Sequence, residues 1–147
     1  MQTGDKAAAA ARSDVARWLR ASYRAGAVVD ALATVSMIFP QRLSTLRFKD
    51  PFDRSGAELR YGMRAGAPLM AGWTVLLLWA DRRPVERKDV IAMTAVPVVV
   101  GVMANDAWAV RQGQVDAPSV LPVRTLQSGL LALFAASYVR AVLADRR

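Results

Sequence analysis

The sequence contains no cysteine and no histidine among its 147 residues. The absence of cysteine excludes disulfides and thiolate nucleophiles, and the absence of histidine excludes imidazole general bases and haem held through imidazole. Most zinc sites are excluded too, because they use one or both of these residue types. We therefore predict no metal and no cofactor, and any chemistry must come from carboxylates, arginine, tyrosine, hydroxyls and amides.

Acidic residues are scarce relative to basic ones: 12 Asp and Glu stand against 20 Lys and Arg, for a net charge of +8. Such a surplus is typical of proteins that bind nucleic acid or anionic membrane surfaces, and of membrane proteins with basic cytoplasmic loops. The basic residues lie at the ends of apolar segments and no nucleic-acid motif accompanies them, so we predict no nucleic-acid partner. The N-terminal stretch MQTGDKAAAAARSDVARW has no apolar run before a cleavage site, so we predict no signal peptide.

Long apolar windows dominate the rest of the chain, which is 54% hydrophobic. Residues 65–80, 90–105 and 125–139 carry no charge, and residues 25–39 carry only Asp30. Arginines and aromatic residues flank these windows, where they suit the water–lipid boundary; the aromatic residues are Trp18, Tyr23, Tyr61, Trp79, Trp108 and Tyr138. With its flanks, each window reaches about 20 residues, enough to cross roughly 30 Å of hydrocarbon.

These features predict one all-α domain over residues 1–147, an integral membrane four-helix bundle. The spans are predicted near 18–39, 59–80, 89–110 and 122–142. The mixed apolar and basic residues between the first two spans indicate an interfacial segment. Lys and Arg are more numerous on the side of both termini and the ADRRPVERKD loop, which predicts a cell inner membrane protein with both termini cytoplasmic. The alternative is a soluble bundle, which would need the polar stripe that the second span lacks.

Several polar residues fall inside the predicted spans. At about 1.5 Å of rise per residue from the inner end of each span, Asp30 lies at about 18 Å and both Arg64 and Asp106 at about 24–25 Å. By the same measure Gln127 lies at about 22 Å and Arg124 at about 27 Å. An isolated carboxylate in hydrocarbon costs several kcal/mol, so we expect both aspartates to face the bundle interior, with Asp106 level with Arg64 or Arg124.

These polar residues are compatible with two alternative functions. The catalytic candidates are Asp30, Asp106 and Arg64, and the ligand-binding candidates are Tyr61, Asn105, Arg124 and Gln127. In the first function, this outer-half cluster binds a membrane lipid, a lipophilic small molecule or a partner membrane subunit, with a homo-oligomer as a further option. In the second, a cofactor-free enzyme uses the paired aspartates for acid/base chemistry, such as epoxide opening, cyclisation or isomerisation of an isoprenoid-like substrate. The enzyme requires both carboxylates to open into one cavity.

The layout resembles that of the small four-helix bacterial membrane proteins of the DoxX-like type. The likeness lies in a short first span, a basic loop and the stretch RYGMRAGAPLMAGWTVLLLWADRRPVERKDV leading into a proline-containing third span. It covers most of the chain and implies a fold and a membrane location. It implies no activity, and no catalytic residue is carried over. The Asp–Arg–Asp set is similar in chemistry to that of the small limonene-epoxide-hydrolase type, on an unrelated fold.

Overall fold

The computed structural model describes residues 2–39 and 56–145, and their side chains except those of residues 2–9, 11 and 58. Within those ranges the chain is all-α. Its four helices are α1 Gln2–Ile38, α2 Ala57–Asp81, α3 Asp89–Arg111 and α4 Ala117–Asp145. The predicted four-helix architecture is therefore confirmed. The predicted interfacial segment falls on residues 40–55, outside the described residues.

Two of these helices are long and apolar enough to cross a membrane. In α3 and α4, the most apolar 18-residue windows have mean hydropathies of 1.7 and 1.4, and only 17% and 22% of those windows are buried within the bundle. A core helix of a soluble protein would be mostly buried. Both helices therefore present apolar surface outward along most of their length.

The first helix begins well before the first predicted span. It starts at Gln2 rather than near Trp18, and its 37 residues correspond to about 55 Å. The alanine run at residues 7–11 favours this extension, because alanine has the highest helix propensity. α1 is therefore longer than the thickness of a hydrocarbon layer, which is about 30 Å.

The helices pack in the order α2, α1, α4, α3. α1 packs against both α2 and α4, and α4 packs in turn against α3. A side-chain hydrogen bond also joins α2 to α3, since the Trp73 indole donates to Thr94 Oγ1 at 3.1 Å. The Thr94 hydroxyl itself donates to the Val90 carbonyl at 2.7 Å, so it serves both helices.

Two glycines allow α1 and α2 to approach closely. A Cβ atom on Gly26 would lie 3.1 Å from Leu77 Cδ1 of α2 and 2.9 Å from Phe134 Cζ of α4. A Cβ atom on Gly66 would lie 2.5 Å from Met37 Cε of α1. The same number of residues separates Gly26 from Met37 and Gly66 from Leu77, so the two helices run antiparallel in constant register.

The third helix is not a regular α-helix throughout. Between α-helical segments at Asp89–Met93 and Gly101–Arg111, residues Thr94–Val100 form a π-helix. Pro97 lies in the middle of this segment, and its ring would collide with the carbonyl of residue 93 in an α-helix. The wider π turn relieves that collision by holding one extra residue.

We call the end of the bundle with the 82–88 connection the tight-turn end, and the end with the 112–116 connection the distal end. The apolar core is concentrated toward the tight-turn end, where the largest fully buried apolar side chains are Leu19, Tyr23, Leu77, Ile91 and Phe134. The Tyr23 hydroxyl donates a 2.6 Å hydrogen bond to the carbonyl of Arg87. Tyr23, expected to suit the water–lipid boundary, has a ring that is 0% exposed and faces the inside of the bundle, where its hydroxyl has an internal partner.

Candidate functional site

Three of the predicted site residues meet between α3 and α4, toward the distal end. Asp106 lies on the last segment of α3, and Arg124 and Gln127 lie one turn apart on α4. The Gln127 amide is within hydrogen-bonding reach of the Asp106 carboxylate, and the Arg124 guanidinium is close enough to interact with it electrostatically. We call these three residues the distal cluster.

Two oxygen atoms of the distal cluster have no donor. Asp106 Oδ2 and Gln127 Oε1 are buried, and neither has a hydrogen-bond partner among the described residues. Because a carboxylate only accepts hydrogen bonds, Gln127 offers its NH₂ group to Asp106 and keeps its oxygen free. A buried acceptor left without a donor costs about 1–3 kcal/mol. The cluster is therefore suited to a ligand group that donates hydrogen bonds.

Asp30 lies in a different environment on α1. It is only 6% exposed, and its Oδ2 atom has no hydrogen-bond partner in the described part of the chain. The neighbouring Thr34 hydroxyl donates to the Asp30 main-chain carbonyl at 2.8 Å and not to the carboxylate. No charged side chain of the described residues forms an ion pair with this carboxylate. Within the described ranges, Asp30 is thus a buried acid without a partner.

The helix register gives Asp30 a level in the bundle. Gly26 packs beside Phe134, so Asp30, one turn further along α1, is level with Leu130 of α4. Gln127 follows about 5 Å further toward the distal end, at 1.5 Å of rise per residue. Asp30 is also the last buried residue of α1 in this direction. It therefore marks the boundary between the packed core and the distal part.

The other predicted site residues lie on the surface. Tyr61 is 78% exposed, and Asn105 and Arg64 are exposed as well. Among the described residues, no hydrogen bond or ion pair joins Arg64 to either aspartate, or one aspartate to the other. The structure therefore brings Asp106 together with two residues of α4 and places Tyr61, Asn105 and Arg64 on the surface.

Sequence reasoning missed two features. One is the contact of Trp73 with Thr94, for which the available signal was a hydroxyl residue in an otherwise apolar window. The other is a cavity of about 280 Å³ at the tight-turn end, lined by residues of α1, the 82–88 connection and α4. No sequence signal indicated the cavity, because its walls come from segments far apart in the chain.

No protein-family model, no curated protein and no solved structure matches this chain. The resemblance to the DoxX-like type therefore stays a prediction, and the function must be argued from the geometry of the chain itself.

Proposed function

We propose that all four helices span a membrane, as a multi-pass inner membrane protein with both termini cytoplasmic. The bundle has large apolar side chains on its outside and polar ones within. Val28, Leu32 and Val35 are exposed along one stripe of α1, and Leu69 and Val75 are exposed on α2. A soluble bundle would carry its polar stripe at those positions. Among the residues whose side chains are described, the buried polar ones are Ser22, Asp30, Thr94 and Ser137.

The function we propose is binding of a lipophilic ligand or lipid whose polar group reaches the distal cluster. The observation that carries it is the pair of buried acceptors without donors, Asp106 Oδ2 and Gln127 Oε1, on facing helices. A hydroxyl or ammonium group placed between them would donate to both. Arg124 offers the opposite chemistry beside them, since a guanidinium donates and stays charged. Lipid contact on the outside of α3 and α4 gives an apolar tail a place next to its headgroup.

The test is to identify the molecule that remains bound when the full-length protein is purified in a mild detergent. Native mass spectrometry measures the mass of the complex, and extraction with organic solvent releases the ligand for identification. A copurifying subunit would appear in the same spectrum. We expect a lipophile with a hydroxyl or amine group, and we expect Asp106→Asn and Gln127→Leu to lower its occupancy several-fold.

The matched control is Leu126→Ala. Leu126 neighbours Gln127 on α4 but is 52% exposed, so its truncation leaves the distal cluster intact. Occupancy that is equal in Asp106→Asn, Gln127→Leu and the control would show that the ligand lies elsewhere and would refute the proposal.

A further inference from the structure

A second site lies at the opposite end of the bundle from the distal cluster. The cavity of about 280 Å³ at the tight-turn end has Val15, Val85 and Ala144 as apolar walls, and its charged residues are Arg12 and Asp145. It contains neither Asp30 nor any residue of the distal cluster. The ligand that fits this cavity therefore depends on the five residues that line it.

The cavity has a net positive character, because its acid is already paired. Asp145 forms an ion pair with Lys88. The remaining described acids of this end are engaged as well: Asp14 with Arg17, Asp81 with Arg24, Glu86 with Arg83, and Asp89 with the Tyr138 hydroxyl. Arg12 has no carboxylate partner among the described residues, and the same holds for Arg20 and Arg82. A free guanidinium thus faces the apolar walls, in a region with surplus positive charge.

The depth of Arg12 matches the headgroup layer of a membrane. The Arg140 guanidinium lies 3.9 Å from the centroid of the Trp18 ring, an aromatic and basic pair typical of the boundary with hydrocarbon. Arg12 precedes Trp18 along α1 by about 9 Å. Headgroups extend roughly 5–8 Å beyond the hydrocarbon on each side, and an arginine side chain covers the remainder. Arg12 therefore reaches lipid phosphate.

An apolar surface continues from the cavity toward the middle of the membrane. Leu143 follows Val139 by one turn on α4, and their side chains are 52% and 53% exposed. Leu143 also adjoins Ala144 of the cavity wall. Acyl chains attached to a headgroup in the cavity would lie along this face. A free phosphate ion has no apolar part that could contact this face of α4, so the apolar face favours a lipid as the occupant.

We infer that this cavity binds the headgroup of an anionic phospholipid. Arg12 donates hydrogen bonds to the phosphate, Val15, Val85 and Ala144 contact the glycerol and the first methylenes, and the acyl chains follow α4. The inference rests on the proposed membrane location and is independent of the distal cluster.

The experiment titrates the detergent-purified, full-length protein with phosphatidylglycerol and, separately, with phosphatidylcholine, counting bound lipids by native mass spectrometry. Phosphatidylglycerol is expected to bind more tightly. Arg12→Gln should weaken its binding about fivefold, which corresponds to about 1 kcal/mol for one basic residue at an anionic surface. Ala144→Leu should weaken it as well by filling the cavity. The control Arg17→Gln changes the charge equally on the same helix, outside the cavity, and should bind as the wild type does.

Three results would overturn the inference. The first is equal affinity for the two lipids, and the second is wild-type affinity in Arg12→Gln. The third is displacement of phosphatidylglycerol by millimolar inorganic phosphate, which would assign the cavity to a soluble anion. Asp106→Asn should leave phosphatidylglycerol binding unchanged. The proposals for the two ends of the bundle therefore succeed or fail separately.

Discussion

At the tight-turn end, polar side chains that enter the bundle find partners on a neighbouring helix. The hydroxyls of Ser22 and Ser137 lie 2.7 Å apart, and Ser22 is the donor because Ser137 donates to the Leu133 carbonyl. Toward the distal end, Asp106 and Gln127 are half-buried residues, but their Oδ2 and Oε1 atoms are buried and have no donor among the described residues. Asp81 Oδ1 also lacks a partner at the tight-turn end, although Arg24 binds its other oxygen at 3.2 Å.

At the tight-turn end, buried polar groups therefore help to hold the helices together. Toward the distal end, buried acceptors remain that could still accept hydrogen bonds. Buried polar groups that are fully satisfied fix one arrangement of a core, whereas unsatisfied ones cost stability. The apolar core follows the same division, since the largest buried side chains lie toward the tight-turn end. The binding function proposed above supplies donors for the unpaired acceptors of the distal cluster.

The most direct test of the two ends is whether they face opposite sides of the membrane. Because the chain lacks cysteine, single cysteines can be introduced at Val85 of the tight-turn end and Gln112 of the distal end. We expect an impermeant maleimide added to intact cells to label Gln112→Cys and leave Val85→Cys unlabelled until the membrane is opened. Labelling of Val85→Cys from outside would reverse the orientation.

Truncating a buried side chain of the packed core should be far more damaging than truncating an exposed one toward the distal end. Phe134→Ala removes a ring that is 0% exposed and leaves a cavity beside Gly26, so we expect a loss of about 2–3 kcal/mol in the free energy of unfolding. The value lies at the low end for such truncations because lipid gives less apolar driving force than water. Leu126→Ala on the same helix should change stability by less than about 0.5 kcal/mol.

These two variants are compared by thermal unfolding of the detergent-purified proteins. Equal losses for Phe134→Ala and Leu126→Ala would mean that the buried Phe134 ring adds no more to stability than an exposed side chain, and would refute its place in the packed core.

Removing a buried polar group should lower stability where the group has a hydrogen-bond partner and raise stability where it has none. Thr94→Val leaves the Trp73 indole without its acceptor and should lower stability by about 1 kcal/mol. Asp30→Leu removes an acceptor that has no donor and should raise stability by about 1 kcal/mol. Chemical denaturation in mixed micelles measures both. A clear loss of stability in Asp30→Leu would reveal a partner for this carboxylate and would move Asp30 into the structural core.

Of the interactions tested, the surface ion pairs of the tight-turn end should contribute least to the free energy of unfolding. Arg83 and Glu86 lie 3.3 Å apart, with side chains 65% and 67% exposed, so Arg83→Gln should change stability by less than about 0.5 kcal/mol. Repeating the unfolding measurement at high salt should remove even that difference, because salt screens exposed charges. A larger effect that persists in salt would indicate that the 82–88 connection depends on this pair for its fold.

The four helices were predictable because an uncharged window with aromatic and basic flanks indicates a helix that is either buried or in contact with lipid. The level of Asp106 with Arg124 followed from counting residues along two helices. Counting gives the level of a residue along the helix axis but not the side of the helix on which its side chain lies. It therefore did not distinguish the inward Asp106 from the exposed Asn105. Nor did it distinguish the buried Tyr23 from an interfacial tyrosine. Pairings such as Trp73 with Thr94 depend on how four helices rotate against each other, which no single segment of sequence specifies.

The π segment at Thr94–Val100 has a consequence for the rotational phase of α3. Each α-helical residue turns the chain by about 100°, so the extra residue of a π turn rotates everything beyond it by about the same angle. In an uninterrupted α-helix that kept Ile91 toward the core, Val102 and Asn105 would face inward.

With the extra residue, the inward positions move on by one, to Met103 and Asp106. Both are half-buried, whereas Val102 and Asn105 are exposed. A carboxylate rather than an amide therefore faces Gln127 and Arg124, and the phase change that Pro97 favours selects it. Pro97, about two and a half turns before Asp106 along α3, thus favours the phase in which the distal cluster contains an acid.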